Sequence, residues 1–239
     1  MSAQVKSNQR IIVALDTPSL EVVEKNLKEL QDFGVLYKIG FELFTAHGWK
    51  ALDLVKTFGG KIFLDLKLHD IPTTVARTAS VICGYEVDMF NVHALGGFEM
   101  MREVRRAVDE SPAARKPVVL AVTILTSHDE PSLQQVGLGG TTLDEEVKKL
   151  ALLAQSAGLD GVVSSPREIG LLRASAGKDF KIVTPGIRPL ESSLQDQKRT
   201  LTPPEAFQSG ADYIVIGRPI TGAPDPRGAA EAILQTLSG

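Results

Sequence analysis

One cysteine, one tryptophan and three tyrosines stand among the 239 residues of this chain. A lone Cys83 excludes an intramolecular disulfide and fits a reducing compartment. Its setting, ASVICGY, reads as that of a small buried packing residue, not a reactive thiol. No uncharged apolar run approaches the roughly 18 residues of a membrane span. The opening MSAQVKSNQR lacks the apolar core of a signal peptide, so a cytoplasmic location is expected. An excess of positive charge is missing too. With 26 Lys and Arg against 29 Asp and Glu, the net charge of −3 argues against a nucleic-acid or anionic membrane surface. There is no H-E-x-x-H and no Cys-His cluster, and the four histidines (47, 69, 93 and 128) are dispersed, so no metal is expected. No G-x-G-x-x-G follows the first apolar run, which argues against a dinucleotide cofactor.

What the chain does contain is short apolar, β-branched runs with amphipathic stretches between them. The runs predict strands at 10–16, 36–40, 61–67, 89–93, 118–125, 161–164, 181–184 and 213–217. Several are apolar without alternation, as parallel strands covered on both faces must be. After Asp16, Thr17 is placed to cap a helix with Pro18 at its first position. Leu20, Val23, Leu27 and Leu30 then fall on one helical face, and Gly34 suits a stop. Leu143, Val147, Leu150 and Ala154 repeat the pattern up to Gly158, and Ala230, Ile233, Leu234 and Leu237 form a last helix. Eight strand-helix units without a Pro/Gly/Ser linker predict one α/β domain over 1–239, a (β/α)8 TIM barrel. A doubly wound open sheet is the alternative. Residues 1–9 read as a polar extension. Residues 126–142 and 185–202 read as long irregular loops, of a kind often functional.

The segment LDLKLHDIP (64–72) is the most informative. Asp65 and Lys67 close an apolar strand on one face, with Asp70 just beyond. Removing such charges from water costs several kcal/mol per ion unless they are paired, so a fold keeps them for pairing or for chemistry. In a barrel the carboxyl ends of the strands form the active face. Those ends here carry Asp16, Lys38, Asp65 with Lys67, His93, Thr126, Ser164, Arg188 and Gly217-Arg218. Agreement in position carries the argument; no single residue does. Gly217 permits close approach of backbone, and Arg218 can fork onto phosphate oxygens. The seventh loop, TPGIRPLESSLQDQKRT, adds Arg188 and Gln197 as donors and reads as a lid that grips a phosphate. His93 reads as a strand-end hydrogen-bonder, and His69 as a residue that orients the charged turn.

With these motifs in place, the chain resembles the orotidine 5'-monophosphate decarboxylase family, its bacterial form most closely. The resemblance rests on ALDTP (14–18), YKIG (37–40), LDLKLHDIP (64–72), NVHA (91–94), TILTS (123–127), VTPGIR (183–188), DQKR (196–199) and VIGRPIT (215–221). Their order and spacing as a set are specific, although D-x-K-x-x-D alone is shared with related metal-using sugar-phosphate decarboxylases and synthases. The resemblance implies a homodimeric barrel, free of cofactor and metal, that converts orotidine 5'-monophosphate to uridine 5'-monophosphate and carbon dioxide. It implies a charged tetrad of Lys38, Asp65, Lys67 and Asp70, the last supplied by the neighbouring protomer. It places Asp16 and Lys38 on ribose hydroxyls, with Thr74 contributed by the neighbour, and Thr126 at the pyrimidine edge. Arg188, Gln197, Gly217 and Arg218 are expected to hold the phosphate. Two readings compete: a metal-assisted sugar-phosphate decarboxylase or synthase, and a noncatalytic barrel that binds phosphometabolites.

Overall fold

A computed structural model describes residues 7–138, 140–188 and 201–237. Its strands are β1 (Ile11–Ala14), β2 (Leu36–Ile39), β3 (Lys61–Leu68), β4 (Met89–His93), β5 (Val118–Val122), β6 (Gly161–Val163), β7 (Lys181–Thr184) and β8 (Tyr213–Ile216). They follow chain order around a closed barrel, with β8 paired in parallel to β1. The closed parallel barrel agrees with the predicted fold class and excludes the open sheet. Each predicted strand is present, several shorter by one to three residues. The 118–125 run, for example, leaves the sheet after Val122.

The helices are α1 (Leu20–Leu30), α2 (Phe41–His47), α3 (Trp49–Thr57), α4 (Pro72–Gly84), α5 (Gly97–Glu110), α6 (Glu130–Gln135), α7 (Leu143–Ser156), α8 (Ile169–Ala176), α9 (Pro203–Gln208), α10 (Arg218–Thr221) and α11 (Pro226–Thr236). Among the described residues, no helix is long and apolar enough to cross a membrane. The backbone groups into two compact units. The first is Met1–Asp65 with Pro185–Gln208 and Asp212–Gly239; the second is Leu66–Thr184 with Ser209–Ala211.

In the first unit, β1, β2 and most of β3 are buried throughout, as their non-alternating apolar sequences require. Ile12 lies opposite Leu36, and Lys38 opposite Ala14 and Phe63, so Lys38 is a buried charge flanked by apolar partners. Helix α1 covers this sheet with Val23, Leu27 and Leu30, all fully buried and each contributing about 1.5–3 kcal/mol relative to exposure. Its cap differs from the expected one. Ser19, not Thr17, accepts the Val22 N–H, and the helix starts at Leu20. Thr17 instead accepts the Ser19 N–H, so its hydroxyl shapes the turn before the cap. Gly34 takes the left-handed conformation (φ 65°) that ends this connection, as its position predicts.

In the second unit, Thr142 and Glu145 cap α7 reciprocally, hydroxyl to backbone and carboxylate to backbone. The stretch after β5, expected to be irregular, contains α6, capped in the same way by Asp129 and Ser132. β6 and β7 run so close that a Cβ on Gly161 would lie 2.3 Å from the Lys181 carbonyl oxygen. Cys83 is fully buried in α4, a packing residue as expected.

Candidate active site

Three charged residues of the first unit meet where β1, β2 and β3 end. The Lys38 ammonium lies 2.7 Å from Asp16 Oδ1 and 3.5 Å from Asp65 Oδ2. Lys38 and Asp65 are nearly buried, while Asp16 is exposed. Two of the three charges are therefore held away from water, where their attraction is strong and their desolvation costly. Truncating one partner of such a buried pair typically costs about 3–5 kcal/mol. Gly40 leaves room for the cluster, because a Cβ there would approach Lys38 Nζ to 2.9 Å and Asp16 Oδ1 to 3.3 Å and press on both groups. Sequence reasoning missed this role, although the glycine two residues past a strand-end lysine was visible in YKIG.

The phosphate candidates of this unit lie on two loops. Arg188 follows β7, half-buried, with its backbone N–H bound to the Leu201 carbonyl at 3.1 Å. Gly217 follows β8, where a Cβ would touch Ala14 of β1, and Arg218 is exposed at the start of α10. Gln197, and with it the middle of the expected lid, lies outside the described residues.

In the second unit the last residues of β3 lead into a tight turn before α4. Lys67 takes φ +45°, a left-handed conformation that costs an L residue roughly 1–2 kcal/mol. The strict alternation expected through Asp65 and Lys67 is thus interrupted at Lys67 itself. Its backbone N–H donates to Asn91 Oδ1 of β4 at 2.8 Å, and Asn91 is wholly buried. Asp70 is exposed and accepts the N–H of Ile71, its own neighbour. Thr74, one turn into α4, is also exposed. The expected role of His69 near this turn has a physical basis: its ring stacks on His93 with centroids 5.5 Å apart.

His93 accepts the Leu95 N–H through Nδ1 at 3.3 Å, the strand-end hydrogen bond anticipated for it. Burial first, then the neighbouring His69, Lys67 and His128, pushes its pKa down to about 4. The imidazole is therefore neutral around pH 7. Thr126 lies exposed, four residues beyond the end of β5. Ser164, grouped by sequence with the active-face residues, is instead buried and hydrogen-bonded to the Glu168 carboxylate. Burial raises the Glu168 pKa, against the opposing pull of the Ser164 and Ser165 donors. This pair closes the turn after β6. Among the described residues, no group of three His, Cys, Asp or Glu is placed to hold a metal ion.

Fixed, partly desolvated charges at strand ends are what a reaction needs when its transition state gains charge that no resonance can spread. The sequence profile of the Orotidine 5'-phosphate decarboxylase / HUMPS family matches residues 9–233. The chain is 49% identical over 233 residues to the orotidine 5'-phosphate decarboxylase of Geobacter sulfurreducens, covering 97% of both chains. With that of Geobacter metallireducens it shares 50% over 230 residues, 96% of both. In three dimensions it is similar to the crystal structure of orotidine 5'-phosphate decarboxylase from Lactobacillus acidophilus. There the TM-score is 0.85 at 38% identity, with 97% of this chain and all of that one covered.

Proposed function

The chain belongs to the Orotidine 5'-phosphate decarboxylase / HUMPS family, and from that premise we propose that it converts orotidine 5'-monophosphate to uridine 5'-monophosphate and carbon dioxide without cofactor or metal. The observation that carries the reading is the Asp16–Lys38–Asp65 charge chain at the strand ends, with Lys67 two residues on along β3. Loss of carbon dioxide from carbon 6 of the pyrimidine leaves an electron pair in the ring plane. That orbital is orthogonal to the π system, so stabilisation must come from charges already in position.

Lys67 supplies that charge. Its ammonium faces the developing carbanion and then gives it a proton, which ends on carbon 6 as carbon dioxide departs. Asp65 and Asp70 flank the ammonium as counter-ions, with Lys38 completing an alternating row. Asp65 also sets a negative charge towards the substrate carboxylate, which disfavours the ground state relative to the transition state. Asp16 and Lys38 take the ribose hydroxyls, and Thr126 the pyrimidine edge. Arg188, Gln197, Gly217 and Arg218 hold the phosphate, remote from the bond that breaks. Binding there promotes turnover by ordering the site.

The working unit is a homodimer in which Asp70 and Thr74 serve the neighbouring protomer's site. Their exposure supports this, as do the exposed apolar Ile71 and Leu95 on the connections after β3 and β4 and Phe98 in the first turn of α5. The whole chain acts as one barrel domain. A reduced, buried Cys83 and the absence of a membrane-spanning helix among the described residues fit a cytoplasmic enzyme.

One assay tests the reading: the fall in ultraviolet absorbance of orotidine 5'-monophosphate, followed with and without a chelator. The expected result is turnover that chelation leaves unchanged. A rate abolished by chelator and restored by magnesium favours a metal-assisted sugar-phosphate enzyme. Tight nucleotide binding without turnover favours a noncatalytic barrel.

A further inference from the structure

Lys67 occupies a backbone conformation that a strand residue leaves at the first opportunity. In an extended strand its N–H would join the ladder and its side chain would follow the pleat. Here φ is +45°, and the N–H points to a side chain, Asn91 Oδ1, at 2.8 Å. Asn91 is 0% exposed whereas Lys67 is partly exposed, so the acceptor side of that hydrogen bond is shut off from bulk water. An N–H stripped of this acceptor must find another partner, and the simplest relief is rotation of residue 67 towards the extended region. Such a rotation redirects the Lys67 side chain. Two residues further along β4, on the same face as Asn91, His93 stacks on His69. β4 therefore holds the β3–α4 turn at two points, the residue-67 backbone and the residue-69 ring.

Resting on the decarboxylase reading, we infer that Asn91 is a positioning residue for Lys67: its amide oxygen fixes the left-handed backbone that aims the ammonium at the reacting carbon. Asn91 touches the backbone of the catalytic residue and acts through it. Misplacement of a catalytic group by about an ångström is enough to cost 10²-fold in rate. Because the ammonium matters most once carbon 6 carries charge, the loss falls on the transition state and spares ground-state binding.

The test uses the full-length enzyme and two variants, Asn91→Leu, similar in size but without an acceptor, and Asn91→Asp, which keeps the acceptor. Measured are kcat and KM for orotidine 5'-monophosphate. Dissociation constants are also measured for uridine 5'-monophosphate and for a nucleoside monophosphate with an anionic oxygen at carbon 6, a mimic of the carbanion. Asn91→Leu is expected to lose about 100-fold in kcat while KM changes by less than roughly threefold. It should lose affinity for the anionic mimic by a similar factor, with the product bound almost as before. Asn91→Asp should recover at least about tenfold of the lost kcat. The inference is overturned if Asn91→Leu keeps kcat near the parent's, if mimic and product weaken equally, or if Asn91→Asp is no better than Asn91→Leu. Should Asn91→Leu fail to fold, Asn91→Ser replaces it in the same two-ligand comparison, and equal weakening again overturns the role. A parent enzyme that does not decarboxylate defeats the functional reading instead, so the two failures are distinct.

Discussion

His93 shows how one side chain couples the site to the solvent. Its Nδ1 must stay unprotonated to accept the Leu95 N–H, and burial opposes the charged ring. In the unfolded chain the same imidazole titrates near ~6.5, against about 4 when folded. Between those values the unfolded state binds more protons, so folding stability falls as pH drops from about 6.5 to about 4. Thermal unfolding of the parent and of His93→Gln at pH 7 and pH 4.5 measures this. The parent should lose more of its Tm on acidification than the variant does; equal losses would show that His93 contributes nothing to the acid sensitivity. At this scale the sequence was partly legible. Asp16, Lys38 and Asp65 each end an apolar run, and the fold brings those ends together. Asn91 was not legible as a partner of Lys67, because nothing local marks a buried asparagine as the acceptor for a residue 24 positions away. Ser164 misled for a different reason: its partner is local, Glu168 four residues on in the following turn, which draws the hydroxyl into the structure.

Strand position proved easier to read than strand ending. Apolar β-branched runs mark all eight strands, since covered parallel strands must be apolar on both faces. Their last residues depend on where pairing stops, which involves neighbouring strands and is invisible in one segment. The helix start at Leu20 is a similar case: Thr17 and Ser19 both carry a capping hydroxyl, and the second takes the Val22 N–H while the first binds the Ser19 N–H in the preceding turn. Between β6 and β7 the constraint is steric. Gly161 faces Lys181 so closely that any side chain meets its carbonyl oxygen at 2.3 Å and its Cβ at 2.6 Å. Backbone cannot yield there without separating two paired strands. Gly161→Ala should therefore destabilise the protein by about 3 kcal/mol, lowering Tm by roughly 6–12 °C. Thermal unfolding checks this, and a Tm within about 2 °C of the parent would refute the close contact as a constraint.

At the scale of the whole molecule, the proposed homodimer divides each working site between two copies of the chain. Asp70 is exposed, hydrogen-bonded within its own turn, and followed by an exposed Ile71. If Asp70 serves the neighbouring protomer, Lys67→Ala and Asp70→Asn chains, each inactive alone, complement one another when mixed. A hybrid dimer then has one site with both residues intact, and random exchange restores about a quarter of parental activity. Mixtures as inactive as either variant would place Asp70 in its own chain's site. The closed barrel was legible from the repeat of strand and helix, whereas a trans contribution leaves no trace in one chain's sequence beyond family resemblance. The central claim concerns the Lys67 ammonium, and single-turnover decarboxylation by Lys67→Ala with bound substrate tests it most directly. Loss of both electrostatic stabilisation and proton donation predicts a rate at least about 10⁴-fold below the parent's, with uridine 5'-monophosphate still bound. A rate within about tenfold of the parent would contradict it, because an amine responsible for both effects cannot be removed so cheaply.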